Sequence, residues 1–326
     1  MDRKLNARKE RLFFDDSQGW YKYMRSRLPN FLIVGAAKAG TTSVSGYLDQ
    51  HPQIYMSPIK EPKYISSHFL KFPLKGPGDD FVEAFTIKNH YDYLQLFRWA
   101  RKNIAVGEAS VENLYFYEQA IPVIKRTLGD VKIIIILRNP VDRAFSAYKM
   151  MLRDGREDLN FEEALEKEIE RKKKNWEYLW YYKDVGFYHD QVKAYLENFS
   201  QVKIALFDDL RTDGQGFMRS LYRFLGVNDH FSPKIDVKVN SSGFLKNSFY
   251  RFLFRATGFK GLLYKYLSLN GVPDNAILSV VEAIRDGELE PVYLKMETRE
   301  QLHEVYQSDV SKLQTLIGRD LRVWLQ

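Results

Sequence analysis

The residues best placed to do chemistry lie between Gly35 and Thr42, where Gly35-Ala36-Ala37-Lys38-Ala39-Gly40 leads into a helix-like segment opened by Thr41 and Thr42. A glycine-rich turn at a helix start offers backbone N–H groups and the positive end of the helix dipole, which together hold a phosphate with little help from side chains. The ATP-binding form of such a loop needs a lysine directly after its second glycine, followed by Ser or Thr. Here Gly40 is followed by Thr41 and Thr42, and the lysine, Lys38, precedes the glycine. A second departure lies at the apolar run 131–137, which ends in Arg138. A kinase or nucleotide hydrolase puts at that point an aspartate that helps hold magnesium. An arginine cannot hold a cation but suits a phosphate, and Ser146, two turns into the next helix, adds a hydroxyl. The inferred ligand carries two separated anionic groups and needs no metal.

Residues 29–43, with Lys38-Ala39-Gly40-Thr41-Thr42 in the loop, resemble the 5′-phosphosulfate loop of sulfotransferases that use 3′-phosphoadenosine 5′-phosphosulfate (PAPS). Leu137-Arg138-Asn139-Pro140-Val141-Asp142-Arg143-Ala144-Phe145-Ser146-Ala147-Tyr148 resembles their 3′-phosphate element. The likeness extends to Lys60-Glu61-Pro62-Lys63-Tyr64, to Gly107-Glu108-Ala109-Ser110, to residues 186–199 and to the tail 297–325. It is closer to bacterial and glycan-type, heparan-sulfate-like members than to cytosolic steroid and phenol enzymes.

The resemblance implies sulfuryl transfer from PAPS, released as the bisphosphate PAP, to a hydroxyl or amine of a carbohydrate or small molecule. The displacement would be in line and without a metal. Lys38 would act on the bridging oxygen, where charge accumulates as the bond to sulfur breaks. The loop Lys38, Ala39, Gly40, Thr41 and Thr42 would hold the 5′-phosphate, Arg138 and Ser146 the 3′-phosphate. Residues 238–246 resemble the late loop that covers the nucleotide, with Lys246 as a further contact.

Glycan-type members use a glutamate base, and the matching position is Glu61, with Lys60 and Lys63 beside it to modulate its charge and contact the acceptor. The chain departs from that pattern just downstream, with Tyr64-Ile65-Ser66 where an aromatic pair followed by Asp is common, and His68 is a second candidate base. Glu108 and Ser110 match acceptor-side positions, although Val111-Glu112-Asn113 replaces the proline that often follows.

These groups need a scaffold, and the hydrophobic pattern supplies one. Short apolar runs at 31–34, 103–107, 131–137 and 202–207 read as buried strands. Between and after them lie amphipathic helical stretches at 41–50, 117–128, 141–152, 161–174, 188–199 and 217–225, with a late one at 308–317. Strand alternating with helix predicts an α/β fold, a P-loop-like parallel sheet flanked by helices, as a single domain with a helical C-terminal extension. Residues 1–28 read as an N-terminal extension and 29–326 as the domain. Glu108 and Ser110 fall just past a strand end, the edge where ligands collect in open α/β sheets. The aromatic cluster Trp176, Tyr178, Trp180, Tyr181, Tyr182, Phe187 and Tyr188 is either a stacking wall for a sugar or apolar acceptor or part of the core.

Bulk properties narrow the field. With 45% hydrophobic residues among 326, the chain can bury a large core. A formal charge of +7 favours anionic ligands without choosing among them. The absence of cysteine excludes disulfides and thiolate catalysis, and fits a reducing cytoplasm. Residues 1–28 show no signal-peptide core, and the longest aliphatic run, 133–137, is far too short to span a bilayer. The histidines show no metal-ligand spacing. Two other functions compete: a P-loop kinase using ATP, disfavoured by the displaced lysine, and a non-catalytic basic module for polyanions, which no nucleic-acid motif supports.

Overall fold

A computed structural model describes residues 28–100, 103–235, 243–245 and 289–326. Five parallel strands form one sheet in the order β2-β3-β1-β4-β5, with β1 at Phe31–Gly35, β2 at Ile54–Met56, β3 at Ala105–Glu108, β4 at Lys132–Leu137 and β5 at Val202–Leu206. Helices cover both faces, so the central strands bury every side chain rather than alternate ones. Phe31 to Val34 and Ile133 to Leu137 are almost fully excluded from solvent, which is why β4 reads as an unbroken aliphatic run. Lys132 opens β4, and its ammonium donates to the carbonyls of Phe224 and Leu225 instead of entering the core.

From β1 the chain passes through helix α1 (Thr41–Asp49) to the edge strand β2, returns to β3 beside β1, then crosses to β4 on the other flank of β1. The carboxyl ends of β1 and β4 therefore flank the point where strand order reverses, the usual ligand crevice of open α/β sheets. The other main helices are α2 (Tyr117–Leu128), α3 (Pro140–Arg153), α4 (His189–Asn198), α5 (Phe207–Thr212), α6 (Gly214–Leu225) and α7 (Met296–Ile317).

The four strands and the helices expected from the pattern are present, with three differences. Strand β2 is an addition: three residues, Ile54 to Met56, are too few for periodicity to reveal. The stretch 161–174 splits into Phe161–Glu166 and Glu168–Lys173, the first opened by an Asn160–Glu163 capping box. Helix α7 begins at Met296 rather than Ser308, because its buried stripe of Leu302, Tyr306, Val310 and Leu313 starts earlier than the most apolar turns suggest. A small antiparallel pair, β6 (Gly243–Leu245) with β7 (Leu289–Pro291), precedes α7.

The C-terminal helical piece docks against the crevice. After α7, the indole N–H of Trp324 donates to Asp208 at 3.0 Å, and its carbonyl accepts from Asn139 Nδ2 at 3.1 Å. Arg319 makes a bidentate pair with Asp209. No described helix is long and apolar enough to cross a membrane.

Candidate active site

The β1–α1 loop is shaped by two left-handed residues, Lys38 at φ 68° and Gly40 at φ 81°. Gly40 stands just before the helix, and a Cβ there would lie 2.7 Å from the Phe207 ring, so side-chain-free backbone is required. The first-turn N–H groups of α1 have no intrahelical acceptor and form an anion cradle. Ala39 and Thr41 are buried while Thr42 is exposed at the crevice.

Arg138 leaves the end of β4 directly beside this loop, its Nη1 donating to the Lys38 carbonyl at 3.1 Å and its guanidinium lying 5.0 Å from the Phe207 ring centroid. Asn139 then caps α3, accepting from the N–H groups of Val141 and Asp142. Ser146 is half-buried on that helix. The structure thus brings together the loop and the arginine that lie 100 positions apart.

Lys38 meets no carboxylate within ion-pair distance among the described residues; its ammonium rests 3.3 Å from the Met150 sulfur. Burial, then the Arg153 charge, pulls its pKa down to about 8. Arg138 is likewise lowered by burial. Lys149, one turn beyond Ser146, is lowered by burial and by Arg138. Lys149 and Arg153 thus lie within electrostatic reach of Arg138 and Lys38, Arg153 itself pairing with Asp154 at 3.2 Å, and neither was expected from the sequence. Their spacing along α3 from Ser146 was the available signal.

The second group comes from the loop after β2. Glu61 and Lys63 both take left-handed backbone, at φ 56° each, on either side of Pro62. Such non-glycine conformations persist only when the surroundings hold them, and three bonds do so here. Glu61 N–H donates to Ala109 O at 3.2 Å, Lys63 N–H to Ser110 Oγ at 3.3 Å, and Ile87 N–H to Pro62 O at 2.9 Å.

A charge ladder then runs inward. Lys60 Nζ lies 2.5 Å from Glu61, Lys63 Nζ lies 3.5 Å from Glu61 and 3.3 Å from Glu112, and Ser66 Oγ donates to Glu112 at 2.7 Å. Burial pushes the Glu61 carboxyl up, but the ammonium groups of Lys63 and Lys60 outweigh it and hold the group below the usual carboxylate range. Lys63 is shifted upward: burial opposes its charge, and Glu112 and Glu61 more than offset that.

Glu61 is the weakest of the charges that act on Lys38 and raises its pKa. His68 is exposed, and its Nδ1 lies 2.9 Å from the Tyr64 carbonyl rather than against Glu61 or Lys38.

Glu108 and Ser110, expected as acceptor contacts, lie at and just after the end of β3. Both are sealed from solvent, and Ser110 Oγ donates its proton to Glu108 at 2.7 Å. Burial raises the Glu108 carboxyl to about 8, so it is protonated at neutral pH. The pair lies beneath the Glu61 loop and braces it. Glu112, whose charge no local pattern singles out, anchors Lys63 from full burial. Lys246 lies outside the described residues.

The aromatic cluster divides. Trp180, Tyr182 and Tyr188 are wholly in the core, whereas Trp176, Tyr178 and Tyr181 line a cavity.

The sulfotransferase family model matches residues 29–232. A crystal structure of a sulfotransferase from Alicyclobacillus acidocaldarius is similar over 91% of this chain and 99% of that one, with 36% identity and a TM-score of 0.72. Among curated proteins, the membrane-associated sulfotransferase kil1 of Dictyostelium discoideum is 31% identical over 37% of this chain and 22% of its own length. Human carbohydrate sulfotransferase 15 is 29% identical over 39% of this chain and 28% of its own. The human bifunctional heparan sulfate N-deacetylase/N-sulfotransferase 2 is 26% identical over 62% of this chain and 22% of its own. The chain thus spans between 22% and 28% of the length of these curated relatives. A displaced loop lysine, an arginine-ended strand and a family match covering both agree: the chain belongs to the sulfotransferase family, and with it to the transferases.

Proposed function

We propose that the protein transfers a sulfuryl group from PAPS to an acceptor hydroxyl or amine by in-line displacement. The observation that carries this is the pairing of the Lys38 loop with Arg138 at the β1/β4 crevice, where neither cation has a carboxylate partner among the described residues. A ligand with two anionic ends would neutralise both, and PAPS is such a ligand. As the acceptor oxygen bonds to sulfur, the bond from sulfur to the bridging oxygen breaks and its electron pair stays with the departing PAP. The Lys38 ammonium stabilises that developing charge.

The proton lost by the acceptor goes to Glu61, whose carboxyl is held in its ionised form by Lys63 and Lys60. Lys60 and Lys63 hold that carboxylate in place, the Ala109 carbonyl accepts its backbone N–H, and Ser110, itself bonded to Glu108, accepts the N–H of Lys63. Lys38, Arg138 and Lys149 supply here the positive charge that a magnesium ion supplies in a kinase. A carbohydrate acceptor is supported by the similarity to a carbohydrate and a heparan sulfate sulfotransferase.

The test is thermal unfolding with PAP, AMP and ATP plus magnesium, since a ligand that binds only the native state raises its stability. Selective stabilisation by PAP is expected. A shift with ATP and magnesium alone would return the kinase reading.

A further inference from the structure

A cavity of about 210 Å³ adjoins the Glu61 loop, and Lys63 belongs to both: its ammonium is 3.5 Å from Glu61, and its side chain forms part of the cavity wall. We infer that this cavity receives an apolar, ring-sized part of the acceptor, so that the acceptor is an amphipathic hydroxyl compound such as an aryl glycoside rather than a bare saccharide. This rests on the sulfuryl-transfer reading of Glu61.

The walls are chiefly rings and aliphatic chains, among them Phe116, Trp176, Tyr178, Leu74 and Val82. Most of the buried polar groups that line it are committed elsewhere, the Tyr178 hydroxyl being the exception. Lys63 and Glu112 pair with each other, Glu177 pairs with Arg156 at 3.1 Å, and Tyr181 donates its hydroxyl to the Trp176 carbonyl at 2.5 Å. Asn175 gives its amide protons to the carbonyls of Lys71 and Pro73.

A pyranose pushed into this space would bring more hydroxyls than the single unpaired Tyr178 hydroxyl can satisfy. An aryl group brings none and buries its faces against rings. Size agrees, because a cavity of about 150 Å³ already accepts benzene, leaving room here for a substituted ring. The committed ion pairs also make the wall rigid before anything binds, which favours a fixed occupant over an adaptable one.

The proposal is tested by calorimetry on the PAP-saturated protein with 4-nitrophenyl β-D-glucopyranoside and methyl β-D-glucopyranoside. The aryl glycoside is expected to bind roughly 10-fold or more tightly than the methyl one. Leu74→Trp, which fills the cavity, and Leu70→Trp, which fills it from a half-buried position, should each erase that preference while leaving PAP binding unchanged. Equal affinity for the two glycosides, no binding of either, or a preference that survives both substitutions would overturn the proposal. The PAP titration run beforehand reports separately on the donor site, so failure there is distinguishable from failure of the cavity.

Discussion

On the donor side of the cleft, Lys38 and Arg138 meet a thioether, a carbonyl and an aromatic ring; on the acceptor side, Lys60 and Lys63 meet carboxylates. The first region holds positive charge in readiness for an anion brought from outside. The second neutralises its own charge and keeps one carboxylate, Glu61, at the surface end of the ladder. The difference shows in titration: burial pulls Lys38 down to about 8, whereas Glu112 and Glu61 drive Lys63 upward. A cation that waits for its partner is destabilised until the partner arrives, and that deficit favours donor binding.

Breaking either side should therefore look different. The largest effect is expected from Glu61→Gln, which removes the proton acceptor and should lower kcat by about 10³-fold, within the usual span for general bases, with PAP affinity unchanged. Lys38→Ala should lower kcat by about 10²- to 10³-fold and also weaken PAP, because the oxygen that bridged phosphorus and sulfur stays with PAP as a 5′-phosphate oxygen. Single-turnover rates alongside PAP titrations check both; weakened PAP binding in Glu61→Gln, or unchanged PAP binding in Lys38→Ala, would contradict the division of labour.

Arg138→Ala should act on the donor side alone. Loss of a charge-assisted contact of about 1.5–3 kcal/mol weakens PAP by about 10- to 100-fold and leaves AMP, which lacks the 3′-phosphate, nearly unaffected. Wild-type pH dependence sharpens the contrast. Because Lys38 titrates at about 8, kcat/KM for PAPS should fall as pH rises through that value, while the limb from Glu61 should lie below the ordinary carboxylate range.

The smallest effect is on stability. Glu108 titrates at about 8 when folded against an ordinary value of 4.5, so the native state retains a proton that the unfolded chain releases. Its contribution is complete below pH 4.5 and is lost as pH rises through about 8. Glu108→Gln cannot ionise, so its melting temperature relative to wild type should climb between those limits. A difference independent of pH would mean that Glu108 is already ionised in the native protein.

Strand β4 and the glycine loop were legible from sequence because each is a contiguous signal: a run of β-branched residues, and a turn joined directly to its helix. Arg138 was legible through its place at the end of that run. Strand β2 was not, since three residues carry no period and its existence depends on pairing with β3. Lys149 and Arg153 were hidden on a helix whose orientation toward the crevice is set by Asn139 and Trp324. The aromatic cluster read equally well as core or wall, and it proved to be divided between the two.

The donor half of the cleft follows from residue order alone, since strand, loop, helix and terminal arginine are local patterns that carry their chemistry with them. The acceptor half depends on how distant segments pack. Lys63 finds Glu112 across 49 positions and Ser110 across 47, and no local rule shows whether Glu108 and Ser110 turn outward to a substrate or inward to brace a loop. In the folded chain both face inward, Ser110 Oγ donating to Glu108 and accepting from the Lys63 N–H, because polar groups withdrawn from water must find partners within the protein.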